Sequence, residues 1–338
     1  MPLTISSDSG CWARVLLLAI AALVFSTSVA ASPAENNSNT QTQEPISDTL
    51  ALLEPTELPR TYLADGFVNL ATTMDHFFGD PRYFQQANNS VVQLYLTETL
   101  EPGGIRQFKF DGQAKIDLPA TEKRFSLILE SSPEKNIGGD IKSTQQYIPD
   151  ARIATDNQSL AIRYEKRDIP SWYFNADVGV KAHIPLDNFA RSRASYSIPL
   201  GDWFLKASES VFWFNSIGAG ETSQIDFDKK LSEPLLFRSS SIATWLVEKL
   251  NFDVRQDFSL YQTLNEREAL LYQTSAIGVS QPQWEVSEYV ALLLYRKRLH
   301  RKWVFCEISP QLHFPIAKNY QVSPLLMVRL ELLFDTVK

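Results

Sequence analysis

Residues 107–118 read QFKFDGQAKIDL, and this stretch decides the fold class. Its even positions carry phenylalanine, glycine, alanine, isoleucine or leucine, whereas its odd positions carry glutamine, lysine or aspartate throughout. Successive side chains of a β-strand point to opposite faces, so this alternation predicts a strand with one apolar and one polar face. Residues 173–184 and 326–334 repeat the pattern, which indicates that such strands extend to the end of the chain.

Fourteen segments carry some form of this alternation, with twelve strands as the alternative where the pattern is blurred. The predicted strands are roughly 91–99, 105–118, 123–131, 159–167, 172–184, 189–198, 203–214, 222–229, 235–247, 252–263, 269–280, 284–297, 302–313 and 322–334. Pro310 interrupts the thirteenth segment, because proline cannot donate to a strand ladder. In 269–280 and 284–297 both faces carry apolar residues, so the direction in which their side chains point is not readable.

The length of these segments points to a membrane. Strands of soluble sandwiches run about 5–6 residues, whereas a tilted strand crosses a bilayer in about 9–11. Short connections alternate with more variable ones, including 132–158, which is typical of outer-membrane barrels. We therefore predict an all-β transmembrane protein, an antiparallel up-and-down outer-membrane β-barrel of about 14 strands preceded by a short helical N-terminal extension. The aromatic residues expected at its membrane–water interfaces are Trp172, Trp203, Trp213, Trp245, Trp284, Trp303 and Phe334.

The N-terminus indicates export. Arg14 precedes an apolar run over 15–25 and a group of small residues, so residues 1–31 are predicted to be a signal peptide that is cleaved near Ala30. Cys11 leaves with this peptide, and the remaining Cys306 cannot form an internal disulfide. The predicted location is the outer membrane of a Gram-negative bacterium.

Three further regions follow the signal peptide. Residues 32–47 are polar and predict a flexible linker. Residues 48–90 form an acidic, partly helical extension, periplasmic or a plug, because apolar residues recur at helical spacing over 62–78 before Gly79 and Pro81 end the helix. The barrel itself is predicted over 91–338.

Charge excludes one class of partner and locates the acidity. The chain carries a net charge of −7, which argues against a nucleic-acid partner. Residues 32–90 hold eight acidic and two basic side chains, so −6 belongs to the linker and the extension together and about −1 to the barrel. Past residue 31 the longest apolar run has seven residues, which is too short for a spanning helix of about 20.

If the apolar faces meet lipid, the polar faces line the lumen. Ten basic and ten acidic side chains fall on these faces, so rings of a single sign, which strong ion selectivity would need, are not expected. This points to a porin-like channel for small solutes without a cofactor or metal. The predicted lumen residues are Lys109, Asp111, Lys115, Asp117, Arg163, Glu165, Asp177, Lys181, His183, Arg191, Arg193, Asp226, Asp228, Asp253, Arg255, Asp257, Arg329 and Glu331.

Several motifs carry a family resemblance. They are FFGDPRY at 77–83, SIPLGDW at 197–203, RSSS at 238–241 and LHRKWVF at 299–305 together with Phe314-Pro315. The chain resembles uncharacterised, porin-like outer-membrane β-barrel proteins of Gram-negative bacteria over most of 75–334. The resemblance implies outer-membrane lipid and the barrel-assembly machinery as partners and brings no established activity. Phe334 resembles the terminal aromatic of the barrel assembly signal, although residues 335–338 follow it.

Two alternatives remain open at this point. One is a filled structural barrel that presents the N-terminal extension to a periplasmic or envelope partner. The other is a lipid-modifying enzyme built on a histidine, although neither His183 nor His313 has the His-x-Ser spacing of barrel lipases. His300 lies in a basic turn, 296–302, which we expect to be solvated or to face lipid headgroups. No catalytic residue is assigned.

Overall fold

The computed structural model describes residues 70–79, 84, 89–118, 124–131, 133, 158–166, 171–182, 185–248 and 250–335. Within them the chain forms fourteen strands, and each strand pairs antiparallel with its neighbours in sequence. Strand β1 also pairs with β14, which closes the sheet into a barrel. The predicted fourteen-strand antiparallel barrel is confirmed. The predicted signal peptide and linker lie outside the described residues.

The strands are close to the predicted segments. Their bounds are β1 Val91–Glu101, β2 Ile105–Asp117, β3 Phe125–Ser131, β4 Gln158–Lys166, β5 Trp172–Lys181, β6 Asp187–Leu200, β7 Trp203–Phe214, β8 Gly218–Ser232, β9 Leu235–Leu246, β10 Asn251–Asn265, β11 Glu268–Val279, β12 Glu285–Arg298, β13 Val304–Pro315 and β14 Ser323–Asp335. The clearest difference is β8, which is longer than the predicted 222–229 because Gly218, Gly220 and the polar residues of its first half pair with β7 in regular register.

Proline leaves a visible mark on the ladder. Pro310 lies inside β13 and is matched with Leu326 of β14. On the β12 side the pairing runs from Leu292 with Gln311 directly to Tyr295 with Ile308, without a change of register. Because proline has no N–H to donate, the ladder is interrupted there and then resumes.

The alternation in sequence becomes an outside and an inside. Phe108 and Phe110 of β2 are 68% and 66% exposed and point away from the barrel, whereas Lys115 on the other face is fully buried. Val178 of β5 is exposed in the same way, and its neighbour Asp177 is buried. The apolar face of each strand is therefore the outer surface of the barrel, and the polar face points inward.

Helix α1 spans residues 70–77, inside the predicted 62–78. Gly79 follows it with a φ of +59°, a left-handed conformation that favours glycine and commonly ends a helix. A Cβ at this position would also lie 2.7 Å from a carboxylate oxygen of Glu331, so the close approach of the chain to the barrel wall requires glycine. No helix among the described residues is long and apolar enough to span a membrane.

Candidate functional site

Aromatic residues lie at both rims of the barrel. The rim where β1 begins and β14 ends is called the N-terminal rim, and the other is the opposite rim. Each of the seven predicted interface aromatics lies within one residue of a strand end. Trp172, Trp203, Trp303 and Phe334 lie at the N-terminal rim, where Trp303 stacks on Phe334 with ring centroids 4.9 Å apart. The remaining three are Trp213, Trp245 and Trp284, at the opposite rim.

Helix α1 packs on an apolar surface inside the barrel. Met74 and Phe78 are buried against inward-pointing side chains. Phe78 meets Tyr261 edge-on with ring centroids 5.2 Å apart, and the Thr263 hydroxyl lies 3.5 Å from the Met74 sulfur. We call this surface the helix dock, and it consists of Leu236, Tyr261, Ala269, Leu271, Leu292, Leu294, Leu325 and Met327.

Ion pairs hold the same helix to the wall. The Arg238 guanidinium donates to Asp75 of α1 at 2.8 Å and, through its other nitrogens, to Asp228 of β8 at 2.7 and 2.8 Å. His76 lies 3.0 Å from Asp335 at the end of β14. Arg238 is almost fully buried, so its pairing with two carboxylates from different elements ties the helix to β8 and β9.

An arginine clamp follows the helix. The Arg296 guanidinium lies 4.1 Å from the ring centre of Phe305 and 5.9 Å from that of Phe77, and its Nη1 donates to both Glu307 and Glu331. Arginine is well suited to this position because its planar group stacks on aromatic rings while its edge pairs with carboxylates. Phe77 is thereby held on the inner wall.

The opposite part of the interior is a closed network of charges. Arg163 donates twice to Asp177, at 2.7 and 2.8 Å, and Arg191 donates to the same carboxylate at 2.6 Å. Arg191 also reaches Glu130 at 2.9 Å and the carbonyl of Pro133 at 3.1 Å. We call Glu130, Arg163, Asp177 and Arg191 the charged wall. All four are buried, and each charge has a partner of opposite sign within the network.

Smaller ion pairs continue around the inner face. Lys115 donates to Glu165 at 2.6 Å, and Lys181 lies 3.0 Å from Asp187. Three further ion pairs on the inner face are Arg255 with Asp257 at 2.8 Å, Arg329 with Glu307 at 3.3 Å and Lys109 with Asp111 at 3.5 Å. Because opposite charges alternate around the barrel, the inner surface has no ring of a single sign among the described residues.

The predicted lumen residues that the structure describes occupy inward positions. The buried ones are Lys115, Arg163, Glu165, Asp177, Lys181, Arg191, Arg193, Asp226, Asp228, Arg255, Asp257, Arg329 and Glu331. The partly exposed ones are Lys109, Asp111, Asp117 and Asp253. His183 lies outside the described residues. Contact of these side chains with a solute stays a prediction.

Arg296 corrects one sequence interpretation. The sequence places it at the start of a basic turn that is solvated or faces lipid headgroups, but the side chain is fully buried and points inward, whereas His300, Arg301 and Lys302 are exposed. Both faces of β12 are apolar, so alternation could not show which way Arg296 points. The available signal was its register partner, since Arg296 lies opposite Glu307 on β13 and two opposite charges facing each other indicate a shared face.

His313 is held by two hydrogen bonds. Its Nδ1 lies 2.8 Å from Glu288, and its Nε2 lies 3.1 Å from the amide oxygen of Gln311. Both ring nitrogens are occupied, so this geometry leaves neither to activate a serine. Among the described residues no group of three or more His, Cys, Asp or Glu side chains is placed to hold a metal ion.

Several solved outer-membrane proteins are similar to this chain in structure. A loop-deletion mutant of OmpT, an outer membrane protein of Vibrio cholerae, gives a TM-score of 0.46 at 8% identity over 73% of this chain and 98% of its own. The outer membrane channel DcaP of Acinetobacter baumannii gives a TM-score of 0.43 at 8% identity, over 73% of this chain and 96% of its own. OprB of Pseudomonas putida gives a TM-score of 0.40 at 9% identity, over 76% of this chain and 96% of its own.

The sequence matches no protein-family model and no curated protein. With TM-scores below 0.5 and identities of 8–9%, none of the three proteins lends its function to this chain. The barrel assignment rests on the strand pairing itself.

Proposed function

We propose that this protein is a porin-like channel of the Gram-negative outer membrane that passes small hydrophilic or amphipathic solutes. The observation that supports it is the closed barrel whose apolar face is outside and whose charged and polar face is inside. A soluble barrel would place these faces the other way round. The proposal includes export by the signal over 1–31, insertion by the barrel-assembly machinery and lipid as the surrounding medium.

Helix α1 is the plug of this proposed channel. It occupies the interior at the N-terminal rim, where Asp75 and His76 pair with residues of β9 and β14. Its apolar side chains cover the helix dock, which would otherwise expose leucine to a water-filled lumen. A segment held by side-chain contacts, and not by strand pairing, can move when a solute passes without opening the barrel.

A reversible tether tests the channel and the plug together. Met74 and Thr263 are in contact, so a Met74→Cys, Thr263→Cys pair in a Cys306→Ser background is expected to form a disulfide that locks α1 in place. Planar-bilayer recordings should show low conductance when the pair is oxidised and higher conductance after a reductant is added. The single variant Met74→Cys in the same background should not respond to the reductant.

The outcomes separate the two statements. Equal conductance in both redox states would contradict the plug but keep the channel. An absence of conductance from the wild type and from the reduced variant, with the barrel folded, would contradict the channel itself.

A filled structural barrel is the second candidate, because the charged wall and the clamp around Arg296 place buried, paired side chains on the inner surface. Such a barrel would anchor the N-terminal extension for an envelope partner. A photo-crosslinker at Thr72, an exposed residue of α1, would then capture an envelope protein in cells. Crosslinks that join Thr72 only to the protein's own barrel would count against this candidate.

A further inference from the structure

The outer surface of the barrel carries a polar stripe in the middle of β7–β10. Glu209 of β7 accepts a hydrogen bond from Ser223 of β8 at 2.6 Å. Ser241 of β9 donates to the side-chain oxygen of Gln256 at 2.5 Å, and the Gln256 amide donates to Ser239 at 3.0 Å. These five residues, which we call the polar stripe, occupy outward positions, since the residues next to them in their strands are the inward-pointing ones.

The stripe interrupts an outer belt that is mostly apolar on the other strands. At mid-strand elsewhere the outward side chains include Phe110 of β2, Ile162 of β4 and Val178 of β5, which are 56–68% exposed. Leu330 of β14 continues this surface. At mid-strand the outer face of these strands is therefore suited to lipid, whereas on β7–β10 polar residues lie among apolar ones such as Val211 and Phe258.

Lipid is an unfavourable cover for the stripe. A carboxylate, an amide and three hydroxyls cannot find partners among acyl chains, and a charged side chain on the outer face is most costly near the bilayer midplane. Glu209 is the seventh of the twelve residues of β7, so it lies at that depth. Membrane proteins place such groups against protein, where they can be paired.

Small residues surround the stripe. Ala194 of β6 is the register partner of Glu209, and Ala243 of β9 is the register partner of Ser223. Together with the serines they form a band of small side chains beside Glu209, which is bordered by Val211 of β7 and Phe258 of β10. Small residues allow two membrane elements to approach closely, and hydroxyl and amide groups then hydrogen-bond across the contact.

We propose that the polar stripe is the contact surface with a second copy of this chain. The stripe is complementary to itself. Its β7–β8 half presents the Glu209 carboxylate as an acceptor, whereas its β9–β10 half presents hydroxyl and amide groups, whose hydrogens bond within that half in a single copy and can instead be donated to the carboxylate of a second copy. A two-fold axis along the membrane normal between β8 and β9 brings the acceptor half of one copy against the donor half of the other, which is the arrangement of an isologous interface.

Cysteine crosslinking in cells tests the proposal. Ser241→Cys in a Cys306→Ser background should give a disulfide-linked species of twice the protein's mass when cells are treated with a mild oxidant. The matched control is Val178→Cys in the same background, which is exposed at mid-strand on the apolar side and should stay monomeric. Heat-modifiable migration on gels shows that each variant has folded.

A second variant examines the chemistry of the contact. Glu209→Leu, combined with Ser241→Cys, should lose the crosslinked species while the barrel still folds, because leucine is well tolerated by lipid. Three results would overturn the proposal. They are no crosslink from Ser241→Cys, an equal crosslink from Val178→Cys, or a crosslinked species whose second component is a different protein.

Discussion

The charged wall and the helix dock face each other inside one barrel, but they are stabilised differently. In the charged wall, Arg163, Asp177 and Arg191 come from neighbouring strands β4, β5 and β6, so each ion pair reinforces a pairing that the backbone already makes. In the helix dock, Met74 and Phe78 come from a helix outside the sheet. The comparison indicates that the charged wall is part of the paired strands, whereas α1 can leave the helix dock while every strand pair of the barrel stays intact.

The largest expected effect is a loss of the charged wall. Asp177→Ala leaves Arg163 and Arg191 buried beside each other without their shared carboxylate, which should lower the free energy of unfolding by about 3–5 kcal/mol. Urea unfolding of the protein in lipid vesicles, followed by tryptophan fluorescence, measures it. The control Asp202→Ala removes an exposed turn carboxylate and should change stability by less than about 0.5 kcal/mol. Equal effects of the two variants would contradict the role of the wall.

The helix dock should respond without loss of the barrel. Phe78→Ala removes the ring that packs on Tyr261. Truncating a buried phenylalanine costs about 3–5 kcal/mol, and we expect this loss to reduce the free energy with which α1 docks on the barrel. Amide exchange in residues 70–78 should therefore rise by about 10²-fold or more while exchange in the strands stays slow. Phe108→Ala, on the outer surface, is the control and should leave α1 unchanged. Global destabilisation by Phe78→Ala would erase the distinction between the two regions.

These differences also explain what could be predicted from sequence. Alternation in 107–118 was enough for the barrel because the period of two is a local property of a strand. The packing of Phe78 on Tyr261 joins residues 183 positions apart, and no local pattern reports it. Arg296 was misplaced for a related reason, since the inward face of β12 is apolar in order to receive the helix and so resembles its outward face.

A smaller effect is expected from the ion pair between α1 and Arg238. Asp75→Ala removes one of the two carboxylates that Arg238 contacts, but Asp228 remains, so the docking of α1 should weaken by about 1–3 kcal/mol. Amide exchange over residues 70–78 measures this, with Asp75→Asn as the variant that keeps the volume and loses the charge. A change as large as that of Phe78→Ala would show that the ion pair, and not apolar packing, dominates the dock.

The smallest effect concerns the solute charge. Five buried inward cations retain 7–9% exposure, namely Arg191, Arg193, Lys206, Arg255 and Arg329, whereas among the buried carboxylates only Asp257 reaches 8%. Among the partly exposed inward residues the balance is the reverse, with Lys109 against Asp111, Asp117 and Asp253, so the accessible charges of the two sets largely cancel. Reversal potentials in a potassium chloride gradient should therefore lie close to zero, and Lys206→Gln should shift them slightly toward a preference for potassium. A strong preference of the wild type for either ion would show that side chains of one sign border the path.

The two tryptophans of β7 define a length. Trp203 and Trp213 lie at opposite rims ten residues apart, so the strand between them extends about 33 Å at about 3.3 Å per residue. With a tilt of about 40° this corresponds to a hydrophobic thickness of roughly 25 Å. The bacterial outer membrane is thinner than an average bilayer, and the spacing of these two rings matches such a membrane. Bilayers made of longer acyl chains should therefore have to thin around this barrel. Such a mismatch would act mainly at the strand ends, and those of the N-terminal rim contact α1.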